Sequence, residues 1–442
     1  MVSKKKCVGR VVEMRGFLMI KRKDGNGALK KHFLYQIKVL FSRHKAMFCF
    51  LFFLFIYEIF IVWQFRDWEI GNYNYAYHAL DYSVGFCSRL LVGAVSNFLL
   101  GGVTVFKVTV LETVLLIFIF VCLSFFLEKL YLRFDTADRP FVLLLIFLFV
   151  TGPCTFGIYV KELGMLDVWW LLCTLIIFFL LSKKKLRPLI VIFAFILTLI
   201  YFSSILCFAP FVVIILLYKA TVETDLKSRR QLYIIAGLFV VFSIGSAVYF
   251  INFGHINIQL SPDAFISLLE ARGCGEDNEE VYHVMYSIPP EEYAVPFETK
   301  SEILNQILVR VQFHLSIYNE NEKGRLFLLL NAFLLVLPVL ILIFYIFHYK
   351  QKNSKPISHK LLFFCMLMLF FFVNITCAFV TTDNIKWLAH GFTLTFACFL
   401  VVLYHEPRLF REKVKPRLRA VPIPVWVCYC VIYALTVYHP YS

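Results

Sequence analysis

The segment that follows the first apolar run, residues 65–93, is rich in side chains that could do chemistry. It reads FRDWEIGNYNYAYHALDYSVGFCSRLLVG and holds the carboxylates Asp67, Glu69 and Asp81 together with Arg66 and Arg89. A carboxylate can accept the proton of a hydroxyl nucleophile, and an arginine can hold a phosphate leaving group. We therefore take the three carboxylates as candidate catalytic residues and the two arginines as candidate substrate-binding residues.

Two further groups of charges lie between apolar runs. The first, in YVKELGMLDVWW, contains Lys161, Glu162 and Asp167; the second, in TTDNIKWLAH, contains Asp383 and Lys386. Our assignment of spans puts both groups on the same membrane face as the first segment, so they are further candidates for substrate binding. The alternative for each group is a set of helix-end charges that face solvent or lipid headgroups.

One carboxylate, Glu112, lies inside an apolar run, roughly 13 Å below its start at about 1.5 Å per residue. A carboxylate in the hydrocarbon is costly, and it is by default a candidate for function. The alternative is a structural glutamate that faces the helix bundle and bonds to Lys107 or to a neighbouring hydroxyl. For His390 and Asn374, core hydrogen bonding is the simpler interpretation.

Composition identifies the elements that must position these residues. The 442-residue chain is 60% hydrophobic and 17% charged, with a mean hydropathy of +0.76, which excludes a soluble globular protein. We predict an all-α polytopic membrane protein of about eleven transmembrane helices, with interfacial helices on the exterior side. The predicted spans are 46–64, 104–127, 140–158, 165–182, 188–201, 204–218, 232–252, 326–348, 360–379, 388–404 and 423–438.

The basic charge indicates a topology rather than a nucleic-acid partner. Most of the 44 Lys and Arg residues behind the net charge of +15 fall on one side of the predicted spans, as the positive-inside rule requires of the cytoplasmic side. We therefore predict a cytoplasmic N-terminus, an exterior C-terminus, contact with membrane lipid and no nucleic-acid partner. A bacterial cytoplasmic membrane is the expected location.

The spans divide the chain into a basic cytoplasmic tail (1–45), an N-terminal transmembrane module (46–252) with its first exterior loop (65–103), an exterior loop subdomain (253–325) and a C-terminal transmembrane module (326–442). Within the first loop, the residues after Asp81 predict a short interfacial or re-entrant helix, from which Arg89 would reach the headgroup layer.

Other local signals concern the exterior subdomain and one pair of short spans. Ser261, Pro262 and Gly273 predict a capped helix, and apolar spacing predicts an amphipathic helix over 301–317. The runs 188–201 and 204–218 are either a hairpin of short spans or one broken helix.

This layout resembles the GT-C class of integral membrane glycosyltransferases, which use polyprenyl-phosphate-linked sugar donors. In that class an acidic Asp-x-Asp motif, often relaxed to Asp-x-Glu, follows the first span, where this chain has Asp67-Trp68-Glu69. The resemblance implies that Asp67, then Glu69, acts as general base or metal ligand, while Asp81 competes for the same role. From this sequence we expect no large soluble C-terminal domain of the kind found in many members.

The expected function is transfer of a sugar from a lipid-linked donor to a glycan or lipid-linked acceptor, in the assembly of cell-surface polysaccharide or glycoconjugate. A divalent cation such as Mg²⁺ or Mn²⁺ could bridge carboxylate and phosphate, although the sequence offers no dedicated ligand set for it. The alternatives are a polysaccharide polymerase of lipid-linked repeats, a transporter or lipid flippase, and a non-enzymatic assembly partner.

Overall fold

The computed structural model describes residues 42–65, 70–152, 159–160, 163–253, 260–275, 278, 281–282, 330–345, 371–374 and 384–436. No β-strand occurs in these residues. The principal helices, in chain order, are α1 (Lys45–Phe65), α2 (Asn72–Ala79), α3 (Leu90–Leu100), α4 (Val105–Leu132), α5 (Arg139–Val150), α6 (Leu166–Ser182), α7 (Ile190–Ile200), α8 (Phe208–Val222), α9 (Leu226–Phe253), α10 (Pro262–Ala271), α11 (Leu330–Tyr345), α12 (Asn384–His405), α13 (Pro407–Ala420) and α14 (Ile423–Leu435).

The all-helical prediction is confirmed, and each of the eleven predicted spans contains a helix among its described residues. The count of about eleven transmembrane helices is not confirmed. By length and apolar composition, four helices in the described part of the chain can cross a membrane, or five if α13 and α14, bent by 91° at their junction, form one span. The four are Val105–Leu132, Phe202–Val222, Leu226–Phe250 and Lys386–His405.

Helices α1 and α4 form an antiparallel pair. Near the start of α1, the Met47 backbone N–H donates to Glu128 near the end of α4 (3.3 Å), and further along Phe55 packs edge-on against Phe120 (6.4 Å between centroids). The end of the bundle where α4 begins is called the site end below, and the other the opposite end.

Salt bridges join the helices at the opposite end. Asp138, at the start of α5, pairs with Arg411 (2.9 Å) and Lys415 (2.6 Å) of α13. Arg187, just before α7, pairs with Glu223, just after α8 (3.3 Å). The basic segments that set the predicted topology therefore contact acidic residues of neighbouring helices.

The Arg187–Glu223 contact also decides between the two interpretations of the short runs. Because the beginning of α7 lies beside the end of α8, the two helices form a hairpin, turned by the 3₁₀ segment Phe202–Leu206. The apolar helix α9 packs along both members.

Helices α2 and α3 lie between α1 and α4 in the chain and pack closely on each other. At Gly93, a methyl group would stand only 1.5 Å from the Leu80 carbonyl oxygen, so only glycine allows this approach. The predicted helix after Asp81 is thus present as α3. Its apolar side chains Phe98 and Leu99 are exposed, which is consistent with contact with lipid.

The capped helix predicted in the exterior subdomain is confirmed as α10. The Ser261 hydroxyl accepts from the Ala264 N–H, Pro262 is the first helical residue, and Gly273 has φ of +81°. The amphipathic helix predicted over 301–317 lies outside the described residues. So do six candidate site residues, namely Arg66, Asp67, Glu69, Lys161, Glu162 and Asp383.

Candidate functional site

The first turn of α6 brings together side chains from several helices at the site end. Asp167 is 2% exposed at the level of its side chain and lies 2.9 Å from Lys386 Nζ. Asp167 and Lys386 are substrate-binding candidates from separate segments of the sequence. The packing of α6 against α12 brings them together as an ion pair. An assignment of Asp167 as a helix-end charge facing solvent is therefore wrong, because α12 covers it.

His390, one turn beyond Lys386 on α12, completes this group. Its Nε2 lies 3.0 Å from Asp167 Oδ1, and its Nδ1 lies 2.9 Å from the Tyr159 hydroxyl. His390 therefore presents Nε2 to the Asp167 carboxylate, while Nδ1 and the Tyr159 hydroxyl share a hydrogen bond. His390 is thus hydrogen-bonded in the core, as expected, but its partner is a candidate site residue.

Glu112 is fully buried and bonded to α6. The Trp169 indole N–H donates to Glu112 Oε1 (2.7 Å), whereas Oε2 has no partner in the described residues. Of the two partners that the structural interpretation offers for Glu112, Lys107 is wrong: its Nζ donates to the carbonyl oxygens of Leu100 (3.1 Å) and Gly102 (3.0 Å). A lysine is favourable there, because the last carbonyls of a helix lack intrahelical donors.

A second histidine, His78 of α2, lies beside Glu112. Its Nε2 is 3.5 Å from Glu112 Oε1 and 3.2 Å from the Gly164 carbonyl oxygen, while Nδ1 is 2.9 Å from the Ser96 hydroxyl. Burial lowers the pKa of His78 to about 4, so the ring is neutral at pH 7. The carbonyl can only accept, which assigns the proton to Nε2 and makes Ser96 the donor to Nδ1.

Arg89 does not reach towards the headgroup layer, which corrects the expectation from its sequence. It is 7% exposed and its guanidinium lies over the Tyr201 ring at 4.1 Å, with Tyr77 at 5.7 Å and Phe202 at 5.9 Å. Its backbone has φ of +80°, and its N–H donates to the Leu199 carbonyl oxygen (2.8 Å). Arg89 therefore fastens the first loop to the turn of the α7–α8 hairpin.

Trp170 connects this arginine to the α12 group. Its indole ring stacks on Tyr201 (5.7 Å, 7° between planes) and lies edge-on to His390 (6.5 Å). The stretch Asp167-Val168-Trp169-Trp170 thus contacts Lys386 and His390 directly, Glu112 directly, and Arg89 through Tyr201. We call Asp167, Trp169 and Trp170 the α6 hub.

Asp81 is the candidate catalytic residue that the structure describes, and it is partly exposed. Its side chain is 25% exposed and lies 3.4 Å from Arg272, which follows α10. Partial burial raises the pKa of Asp81, but the hydrogen bonds from Ser83 and the charge of Arg272 outweigh burial and hold it below its usual value. Asp81 is consequently ionised at neutral pH, in contact with a cation and accessible to a solute.

The α6 hub and its partners lie near one end of the bundle, well away from its middle. At about 1.5 Å per residue, Glu112 is about 10 Å along α4, a helix of 28 residues and about 42 Å. Asp167 occupies the first turn of α6, and Lys386 the first turn of α12. The α6 hub and its partners therefore occupy one end of the bundle.

A divalent metal would need several oxygen or nitrogen ligands gathered at one point. Among the described residues, no three His, Cys, Asp or Glu side chains are grouped as a metal site requires. Asp167 is paired with Lys386, and Asp81 with Arg272. These two carboxylates therefore have cationic side chains as partners and do not form a metal centre.

Comparison of the chain with protein-family models, with curated proteins and with solved structures finds no match.

Five site residues are not among the candidates predicted from the sequence, namely His78, Arg272, Tyr159, Trp169 and Trp170. His78 and Tyr159 stand among aromatic residues that are equally typical of a membrane-interface belt, and Arg272 comes after a helix almost 200 residues along from Asp81. The available signal for His78 was its position in a short loop already rich in carboxylates.

Proposed function

We propose that the protein is a membrane glycosyltransferase, which moves a sugar from a polyprenyl-phosphate-linked donor to an acceptor at the site end. The observation that carries this proposal is the concentration of buried acid, base and aromatic side chains at one end of the bundle, next to the ionised and accessible carboxylate of Asp81. The exposed apolar residues of α3 offer an adjoining surface for a lipid chain.

In the proposed reaction, a carboxylate of the first loop removes the proton from the acceptor hydroxyl. Asp81 fits this role on exposure and charge, while Asp67 and Glu69 keep the role that the GT-C resemblance implies for them. The acceptor oxygen forms a bond to the anomeric carbon, and the bond from that carbon to the phosphate oxygen breaks. The lipid phosphate leaves with the electron pair, and the proton remains on the carboxylate.

The cationic groups around this carboxylate would hold the donor phosphate. Arg272 is 25% exposed on its side chain and lies beside Asp81, so it is better placed than buried Arg89 to meet a substrate. Arg89 instead acts as a positioning residue, because it joins the first loop to the hairpin and to the α6 hub. Guanidinium groups suit phosphate because their donors match its oxygens in pairs.

A polymerase of lipid-linked repeats would use the same chemistry at the same place, and it stays as the alternative within this class. A transporter or flippase is less well supported, because the groups of the α6 hub lie near one end of the bundle.

The test is replacement of each first-loop carboxylate in the native host, by Asp81→Asn, Asp67→Asn and Glu69→Gln. Loss of surface glycan with accumulation of the lipid-linked precursor, at normal membrane levels of the protein, is the expected result for the base. The matched control is Asp225→Asn, which alters an exposed salt-bridged carboxylate at the opposite end (3.5 Å to Lys184). Wild-type glycan and precursor in all three first-loop variants would refute the proposal.

A further inference from the structure

A buried carboxylate outside the site just described lies deeper in the bundle. Glu58 of α1 is 4% exposed, and neither of its carboxylate oxygens has a hydrogen-bond partner among the described residues. The neighbouring Tyr57 does not serve it, since its hydroxyl donates to the Thr151 carbonyl oxygen (2.7 Å). Because hydropathy is averaged over the whole apolar run of 21 residues, one glutamate changes it little. The sequence pattern therefore does not draw attention to Glu58.

The pairing of α1 with α4 gives the depth of Glu58. Met47 contacts Glu128, and Phe55 contacts Phe120, so each step forward on α1 corresponds to one step back on α4. Glu58 is therefore level with residue 117, five residues or about 7 Å deeper than Glu112 and near the middle of the 28-residue α4. It is separate from the α6 hub.

An ionised carboxylate at this position would be unstable. Removing an isolated charge from water costs several kcal/mol even after relaxation, unless an opposite charge or hydrogen-bond donors compensate. None of the described residues supplies such compensation to Glu58. A metal cation would also bind poorly at this position. A hard cation needs several oxygen ligands, and Glu58 alone offers two. The ligand that fits is a single proton.

We propose that Glu58 is a reversible proton-binding site inside the membrane-spanning part of the protein. A carboxylic acid in this position is neutral, and it exchanges its proton with the site end, where Glu112 and His78 are the next proton-accepting groups. Glu112 Oε2 has no partner in the described residues and can take part in such exchange. This proposal goes beyond glycosyl transfer and does not depend on it.

The titratable groups on the helices that contact α1 decide which of them could affect the protonation of Glu58. α5, which packs near α1, is entirely apolar from Phe141 to Val150. The titratable groups on α1, α4 and α14 that are neutral or acidic are Cys49 and Tyr57 on α1, Glu112, Cys122, Glu128 and Tyr131 on α4, and Cys428, Tyr429, Cys430 and Tyr433 on α14. The lysines of α1 and α4, namely Lys45, Lys107 and Lys129, lie at least ten residues, or about 15 Å, along the helix axis from the level of Glu58. That distance is too long for any of them to pair with an ionised Glu58.

The first measurement uses dicyclohexylcarbodiimide, a hydrophobic reagent that adds to protonated carboxyl groups, on the wild-type protein in membranes. Peptide mass spectrometry should find the adduct on Glu58 at neutral pH, with less adduct as the pH is raised towards about 9. Glu128 is the matched control: it is equally buried but accepts from His44 (2.6 Å) and from the Met47 N–H, so it should be labelled far less.

The second measurement is infrared spectroscopy of the protein in lipid, because only a protonated carboxylic acid has the carbonyl stretching band of an acid. A band that disappears in Glu58→Gln, shifts in deuterated water and weakens at alkaline pH supports the proposal, whether or not the carbodiimide reaches the site. Absence of a Glu58 acid band at neutral pH, or a band unaffected by pH and by deuterium, overturns it. Since wild-type labelling needs no variant, poor folding of Glu58→Gln leaves the proposal testable.

Discussion

The buried pair of Asp167 and Lys386 allows a quantitative test of how the α6 hub is held together. Replacing Asp167 by Asn keeps the size of the side chain but removes the charge that faces Lys386 at 2.9 Å. The Asp167 side chain is 2% exposed and that of Lys386 is 14% exposed. Water therefore screens the interaction between the two charges only weakly. Removing one partner of a buried pair typically costs about 3–5 kcal/mol, because the other charge stays buried.

The matched control is Asp81→Asn at the same end of the bundle. The Asp81–Arg272 pair is 3.4 Å long, and both side chains are 25% exposed. Solvent weakens such an interaction, so its removal should cost about 1 kcal/mol or less. The structure therefore predicts a difference of at least about 2 kcal/mol between the two variants.

The assay is equilibrium unfolding in mixed micelles, followed by circular dichroism because the described structure is helical. The variants are Asp167→Asn, Lys386→Met and the double variant, which should lose less free energy of unfolding than the two single losses added together. If Asp167→Asn costs no more than Asp81→Asn, then water reaches Asp167. The assignment of the hub as a dry, structurally fixed cluster would be wrong.

Three further results are expected. Glu112→Ala should destabilise the protein by about 1–3 kcal/mol, because the buried Trp169 N–H loses its acceptor, while Glu112→Gln should be nearly neutral since its amide oxygen accepts instead. Gly93→Ala should cost at least about 1–3 kcal/mol, because the new methyl group meets the Leu80 carbonyl oxygen. The pKa of Asp81 is lowered by folding, so its contribution of at most about 1 kcal/mol is present at neutral pH and is lost as pH falls below about 3.9.

Each of these results has its own comparison. For Gly93→Ala, the comparison is Gly71→Ala, where a methyl group meets no atom within 4 Å; equal losses would contradict the close approach of α2 and α3. For Glu112, equal destabilisation by Ala and Gln would show that the Trp169 bond is unimportant. For Asp81, wild type and Asp81→Asn should converge in stability at low pH, and a constant difference down to pH of about 2 would contradict the assignment.

The helical elements follow from local sequence, and they were largely predictable. Apolar runs, the Ser261 cap and the glycine after α10 each depend on neighbouring residues, so a single sequence contains the information. The number of membrane-spanning helices was harder to predict from the sequence. Several apolar helices here are shorter than the length of about 20 residues that a bilayer crossing requires. Hydropathy does not distinguish a short span from a buried helix.

The contacts of the site were less predictable, because they join residues far apart in the chain. Asp167 and Lys386 were both selected, but nothing in either segment indicates that α6 and α12 begin side by side. Arg89 was expected at the headgroup layer on general grounds, and its burial depends on Tyr201, more than 100 residues away. Lys107 is a possible partner of Glu112 by proximity in sequence, but a separation of five residues does not put two side chains on one helix face.

The hydrogen bonds of the first loop show how the backbone around Asp81 is held in place. Ser88 donates to the Thr198 carbonyl oxygen (2.8 Å) and accepts from the Phe202 N–H (2.9 Å), and Tyr75 donates to the Arg272 carbonyl oxygen (2.9 Å). These bonds fasten the loop on one side to the α7–α8 hairpin and on another to α10. Asp81 therefore sits on a segment fixed by two separate parts of the fold. A side chain fixed in this way is presented in one orientation, which the proposed transfer reaction would require of its base.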